Sequence, residues 1–262
     1  MLSLTTEQIT LWLGGIFWPF VRISAMMFAA PVFGARMMPV QIRVVLAFTI
    51  SVLTIPLLPP VPPVPAIDPI SFASAGVMVQ QILIGVSMGL IIQMTFQSLV
   101  VAGEAIANGM GLGFARMMDP ANGVQVPVIS QFFIVMATLL FVIMNGHLLL
   151  IKLVIQSFEI IPVSSSGLSL PGIRGVVSWG SQMFIGGLMV ALPAVTALLV
   201  VNISMGVITR AAPQLNIFAV GFPLMILLGF IFLSASLPSI FSQFAQMLMG
   251  SFEYISKMLS MK

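Results

Sequence analysis

Cysteine is absent from this chain, and it has a single histidine, His147. The first absence excludes a disulfide scaffold and cysteine-ligated metal or redox chemistry. The second leaves too few ligands for a histidine cluster, so neither a metal nor a cofactor is expected. Charge is also scarce: 6% of residues are Asp, Glu, Lys or Arg, and the net charge of +3 comes from scattered positions without a basic run. A nucleic-acid partner is therefore excluded, because binding a phosphate backbone needs a basic patch. No His-Glu-x-x-His helix or Gly-x-Ser-x-Gly elbow occurs, and Gly109, Gly111 and Gly113 do not open into the Gly-Lys-Ser/Thr of a phosphate loop. Serine is plentiful but lacks a base, and His147, after Asn145-Gly146, reads as an interfacial or hydrogen-bonded histidine, so no catalytic residue is assigned. Only Glu7 is charged ahead of the first apolar stretch, where a cleavable secretory signal wants a cationic region, so the amino terminus is expected to stay attached.

What the chain has is apolar length. With 60% hydrophobic residues and a mean hydropathy of +1.19, it reads as an integral membrane protein. Uncharged stretches run from Val44 to Ile67, Pro69 to Gly103, Pro120 to Ile151, Gly175 to Thr209 and Ala211 to Phe252. Each reaches the roughly 20 residues that a spanning helix needs, and hydropathy predicts about six crossings. Six alternating crossings put Arg36, Arg43, Arg116 and Arg210 on one side, and Lys152, Arg174, Lys257 and Lys262 on the other. That tie removes the loop bias by which cations orient an ordinary bundle.

The stretch from Pro69 to Asn108 contains no convincing turn, yet as one helix it extends roughly 60 Å at about 1.5 Å per residue, twice the hydrocarbon thickness. Either it breaks near Gly85 and Gly89 or it continues beyond the bilayer against other protein. On a helical wheel Gly89, Gln93, Gln97, Glu104 and Asn108 share one small and polar face, which suits helix packing or pore lining.

Proline and glycine punctuate the chain more clearly than charge does. Pro59, Pro60, Pro62, Pro63 and Pro65 predict a stiff extended spacer. Ser164, Ser165, Ser166 and Gly167, with Pro171 and Gly172, mark a boundary between parts 1–166 and 167–262. Pro193, Pro213, Pro223 and Pro238 predict bent or broken helices in the carboxy-terminal run. Between Gly109 and Gly123 a loop of glycine, methionine and one aromatic, Phe114, separates two apolar runs. Irregular backbone at membrane depth is tolerated only where protein buries it or a water-filled path runs beside it, so this loop suggests a pore.

Charges inside apolar runs are functional candidates by default, which singles out Arg22, Glu104 and Arg210. For Glu104 a pairing with an arginine elsewhere is preferred over a proton relay, and Arg116 and Asp119 suit a local pair or the interface. Methionine occurs 21 times. Most copies read as core filling, but Met117-Met118 beside Phe114 suits a deformable seal.

Three stretches carry a family resemblance: Arg22-Ile-Ser-Ala-Met-Met-Phe-Ala-Ala-Pro-Val-Phe-Gly34, with Pro39 and Arg43; Gly103-Glu104 leading to Gly111-Leu-Gly-Phe-Ala115 and Asp119-Pro120; and Arg210-Ala-Ala-Pro-Gln-Leu-Asn-Ile-Phe-Ala-Val-Gly-Phe-Pro223. In this order and spacing they resemble the FliR family of flagellar type III export-gate proteins, over nearly the whole chain. The resemblance implies an all-α membrane protein: a FliP-like part over 1–166, with a central plug loop at 109–123, fused to a FliQ-like helical hairpin over 167–262. It implies a non-enzymatic, structural gate subunit that passes unfolded flagellar export substrates across the bacterial inner membrane at the basal body, with part of the complex at periplasmic level. The implied partners are FliP, FliQ, FlhB and FlhA. The implied plug residues are Gly109, Gly111, Gly113, Phe114, Met117 and Met118, and relatives often carry a second aromatic where methionines stand here. Glu104, Asp119 and Arg210 are the implied structural charges, and Gln214-Leu-Asn216 matches the tight bend of the hairpin. Two rival readings are a homologous subunit of a virulence injectisome and, from another class, a secondary transporter, which broken helices bearing Gln93, Gln97 and Glu104 would suit.

Overall fold

A computed structural model describes residues 6–34, 38–57, 72–113, 127–164, 167–212 and 220–261. Among these the chain is all-helical: α1 (Thr6–Ala29), α2 (Val40–Thr54) with a 3-10 turn (Ile55–Leu57), α3 (Phe72–Gly109), α4 (Val128–Ile143), α5 (Gly146–Ile160), α6 (Leu170–Ala211) and α7 (Phe222–Ser260). The expected all-α class holds. The spacer prolines from Pro59 to Pro65 lie outside the described residues.

The crossing number differs from the hydropathy expectation. Among the described residues three helices, α3, α6 and α7, are long and apolar enough to cross a membrane, or four spans if α4 and α5 count as one crossing bent by 65°. The difference arises where uncharged sequence is not continuous helix. The stretch from Val44 loses its α-helix at Thr54, ahead of Pro56, and α2 is 15 residues long, roughly 22 Å at about 1.5 Å each. The stretch through Ile151 turns at Asn145, whose φ of 56° is left-handed and which sits before Gly146. Conversely, α3 does not break at Gly85 or Gly89; it is one helix of 38 residues. Pro193 and Pro238 also lie inside continuous helices, of 42 and 39 residues.

The chain divides into two compact units: Met1–Gln93, Val142–Gly180 and Met249–Lys262 form unit 1, and Met94–Phe141 and Ser181–Leu248 form unit 2. In unit 1, α1 packs on α2 and α5 and closely on α3. A Cβ on Gly89 would lie 2.7 Å from Met26 O and 2.6 Å from Ala29 Cβ, and one on Gly85 would overlap the Arg22 carbonyl. These glycines are the small positions that let two helix backbones touch. The buried face of α2 is Ala47, Ser51 and Thr54, small residues whose hydroxyls donate back to Ala47 O and Ser51 O at 2.6 and 2.9 Å.

Arg22 is the fully buried charge of unit 1. Its Nε donates to Gln81 Oε1 on α3 at 2.8 Å, Nη1 to Ser157 Oγ on α5 at 2.9 Å, and Nη2 to the Ile161 carbonyl at 2.9 Å. The guanidinium lies 4.0 Å from the Phe158 ring centroid, where a cation meets the negative face of the π-system. Also in this unit, Trp179 of α6 stacks on Tyr254 of α7 at 4.1 Å, and Ser169 Oγ donates to Met261 O at 2.8 Å.

In unit 2, Phe96 of α3 meets Phe141 of α4 and Phe244 of α7 edge-on, at 5.6 and 5.4 Å. Gly103 admits α4: its Cβ would lie 2.6 Å from Ser130 Cα, and Ser130 Oγ donates to Val100 O at 3.0 Å. Gly187 of α6 sits against Ser98 and Val101 while Leu198 sits against Gly109, so α6 runs parallel to α3. Phe244 faces Phe96 and Gly229 faces Met110, so α7 runs antiparallel to it.

Replacing Arg22 tests the unit 1 packing. Arg22→Met strands the Gln81 and Ser157 acceptors and should destabilise the chain by about 3 kcal/mol, at about 1–3 kcal/mol per unsatisfied buried group. Arg22→Lys should lose nearly as much, because one ammonium cannot reproduce the planar three-way fork. Thermal midpoints and steady-state amounts in membranes read both out; wild-type values for Arg22→Met would refute the account.

Candidate functional site: the root of the glycine loop

The described residues include the root of the loop that the sequence singles out. Helix α3 ends in a Schellman motif: Gly111 N donates to Asn108 O at 3.0 Å and Leu112 N to Ala107 O at 3.0 Å. Gly111 carries the left-handed φ of 79° that this motif requires at its turning residue. Two otherwise orphaned carbonyls of the last turn are thereby satisfied, and α3 stops cleanly. So Gly109 and Gly111, read from sequence as parts of a flexible loop, are the last helical residue and its cap.

The root is held on two sides. On α6, Leu198 lies against Gly109, where a Cβ would approach Leu198 Cδ1 at 3.3 Å, and Asn202 Nδ2 donates to Gly109 O at 3.4 Å. On α7, the Phe222 ring comes so close that a Cβ on Gly111 would meet it at 2.8 Å. Met110, fully buried, fills the space over Gly229. A Cβ on Gly113 would stand 2.9 Å from Asn108 Oδ1, so the chain folds back over its own helix end there.

The remaining sequence candidates distribute as follows. Glu104 is half-buried on α3, five residues before Gly109, and Arg210 is exposed in the last turn of α6, where a cation complements the helix dipole. Phe114, Met117, Met118 and Asp119, with the loop through residue 126, lie outside the described residues, as do Gln214 and Asn216. Arg22 belongs to unit 1 and is no part of this root. Sequence reasoning missed Met110, Asn202 and Phe222 as holders of the root; the signal for Phe222 was its place beside Pro223 at the start of a helix. His147 sits in the first turn of α5, half-buried, with Nδ1 lacking a hydrogen-bond partner. Among the described residues no group of three or more His, Cys, Asp or Glu is placed to hold a metal. An apolar groove of about 550 Å³ between α1 and α3 is lined by residues such as Val21, Phe28, Met78 and Ile82, and its one hydroxyl, on Ser24, is bonded to Val21 O at 3.0 Å.

Residues 13–251, which include all or part of every helix described above, match the family of bacterial export proteins, family 1. The chain belongs to that family. It is similar to the flagellar biosynthetic protein FliR of Escherichia coli (strain K12), 38% identical over 240 residues that cover 92% of this chain and 90% of that protein. FliR of Pectobacterium carotovorum subsp. carotovorum is 39% identical over 242 residues, covering 92% and 90% of the two chains. FliR of Bacillus subtilis (strain 168) is 31% identical over 225 residues, 85% of each. The family match includes residues 109–123 and 213–219.

The root geometry makes a separable prediction. Gly111→Ala forces an L-residue into left-handed backbone, at roughly 1–2 kcal/mol, and also drives a methyl into the Phe222 ring. In a Phe222→Ala background the steric part should vanish, so the penalty of Gly111→Ala, read as a shift in thermal midpoint, should shrink to the backbone part. Equal penalties in both backgrounds would mean that the ring contact carries no energy.

Proposed function

We propose that this export-family protein is a structural, gate-forming subunit of the flagellar type III export channel, passing unfolded flagellar subunits across the bacterial inner membrane and catalysing no reaction itself. The observation that carries the reading is the root of the glycine loop. A plug needs a fixed attachment and a tip able to yield, and the root between Gly109 and Gly113 is capped, buried at Met110 and flanked by α6 and α7. On this reading Gly109, Gly111 and Gly113 form the attachment, while Phe114, Met117 and Met118 close the lumen, with methionine supplying an adaptable seal.

Assembly with FliP-, FliQ-, FlhB- and FlhA-type subunits at the basal body, partly at periplasmic level, belongs to the same reading. It is supported by the exposed apolar surface. In the apolar windows of α6 and α7, 33% and 22% of residues are buried within this chain, leaving faces that lipid or other subunits must cover. Helix lengths add to this: 42 residues at about 1.5 Å each make roughly 63 Å, well beyond a hydrocarbon core of about 30 Å. A FliP-like part over 1–166 joined to a FliQ-like hairpin over 167–262 accords with α6 beginning at Leu170 and with α6 and α7 running in opposite directions along α3. Flagellar rather than injectisome export is favoured by the names of the relatives, each a flagellar biosynthetic protein.

Two experiments test this reading. Purification of the tagged chain from its native membrane should bring down FliP- and FliQ-type subunits; recovery of a solitary chain would overturn the assembly. Deleting residues 114–118, which spares the attachment from Gly109 to Gly113, should leave assembly intact while making the membrane leaky to small ions. Unaltered conductance in the assembled deletion complex would contradict the plug.

A further inference from the structure

In unit 2, Gln97, Glu104 and Asn108 lie within about 40° of one another around α3, at about 100° per residue. The residues by which α3 meets α4 and α7, namely Phe96, Gly103 and Met110, lie at least about 80° away around the helix. The polar ridge thus points away from α4 and α7, and α6 flanks it on the other side, where Gly187 sits against Val101. Gln97 and Glu104 are half-buried and Asn108 is exposed.

Among the described residues no hydrogen bond or ion pair involves Glu104, Gln97 or the Asn108 side chain. Glu104 is also the only acidic residue between Asp68 and Asp119. A carboxylate on so apolar a helix is costly to hold without a counter-charge or donors. The described cation of unit 2, Arg210, cannot supply it. Leu198 of α6 lies beside Gly109 and α6 runs parallel to α3, so Arg210, twelve residues further on, stands roughly 18 Å beyond Gly109 at about 1.5 Å per residue, in the direction away from Glu104.

We propose that the Gln97–Glu104–Asn108 ridge is the docking face for a helix of a partner export subunit that presents an arginine or lysine to Glu104. The two amides fix the register of that helix by bonding its backbone or side chains, as polar groups do between membrane helices. The proposal rests on the multi-subunit reading given above and adds to it where one partner sits and what charge it carries.

The experiment compares wild type, Glu104→Gln and Glu104→Lys, each tagged and expressed both with its native export partners and without them. With partners present, Glu104→Gln should lower recovery of the partner subunits by at least about tenfold, since removing half of a desolvated charge pair costs that much or more. Expressed alone, it should reach the membrane at wild-type level. Motility suppressors of Glu104→Lys should replace a basic residue of a partner subunit with an acidic one. Unchanged recovery for Glu104→Gln overturns the proposal, as do suppressors at Arg116 of this chain, which would make the pair internal. Normal assembly with altered export overturns it too, because the ridge would then face the translocated polypeptide. Loss of Glu104→Gln even without partners overturns it by making Glu104 a determinant of this chain's own fold. Should wild type recover no partners, the multi-subunit reading fails first and the proposal with it.

Discussion

A guanidinium held away from water, with neutral groups as its hydrogen-bond acceptors, governs the packing of unit 1. Arg22 reaches a glutamine on α3, a serine on α5 and the carbonyl of Ile161 just past α5, and lies over an aromatic ring. Because the fork is planar and rigid, the three acceptors must stand in one arrangement, and α1, α3 and α5 are fixed in register by it. Neutral acceptors also leave the site with a net positive charge, which a buried carboxylate would have cancelled at a second desolvation cost.

Within each unit the packing obeys the rule for helices that gain little from hydrophobic exclusion when they meet in lipid. Contact then comes from closeness. Gly85 and Gly89 bring α3 to the backbone of α1, Gly103 brings it to Ser130 of α4, and Gly187 brings α6 to Ser98. Serine and threonine hydroxyls turn back onto their own helices, as in Ser51, Thr54 and Ser98, so small polar residues sit in the contacts without leaving donors unmet. The bulky apolar side chains, by contrast, are turned outward in number, as with Phe184, Leu188, Leu192, Val200 and Ile203 along α6.

Much of this was legible in the sequence, and the gaps have physical causes. The all-helical class and the membrane-like composition follow from apolar runs and scarce charge, whereas the stretch leading to Asn108 was legible as overlong but not as unbroken at Gly85 and Gly89. The count of crossings did not, because hydropathy measures composition and is blind to where the backbone turns: Asn145 divides one apolar run, and Pro56 shortens another. Pro193 and Pro238 misled in the opposite sense, since a proline inside a long helix can be tolerated where neighbours satisfy the freed carbonyl. At the candidate site the glycines were legible as special positions, but their task was not. A left-handed φ at Gly111 and a ring at van der Waals distance from it are properties of three-dimensional neighbours, and Phe222 lies more than one hundred residues away in sequence. Met110 and Asn202 were hidden for the same reason.

The cap at Gly111 has a mechanical corollary. Because the carbonyls of Ala107 and Asn108 find their donors at Leu112 and Gly111, and that of Gly109 at Asn202 of α6, the hydrogen-bond ladder of the rod is closed off at its own end. A pull on the chain beyond Leu112 therefore has to break these two cap bonds and the contacts with Leu198, Asn202 and Phe222 before it reaches the interior turns of α3.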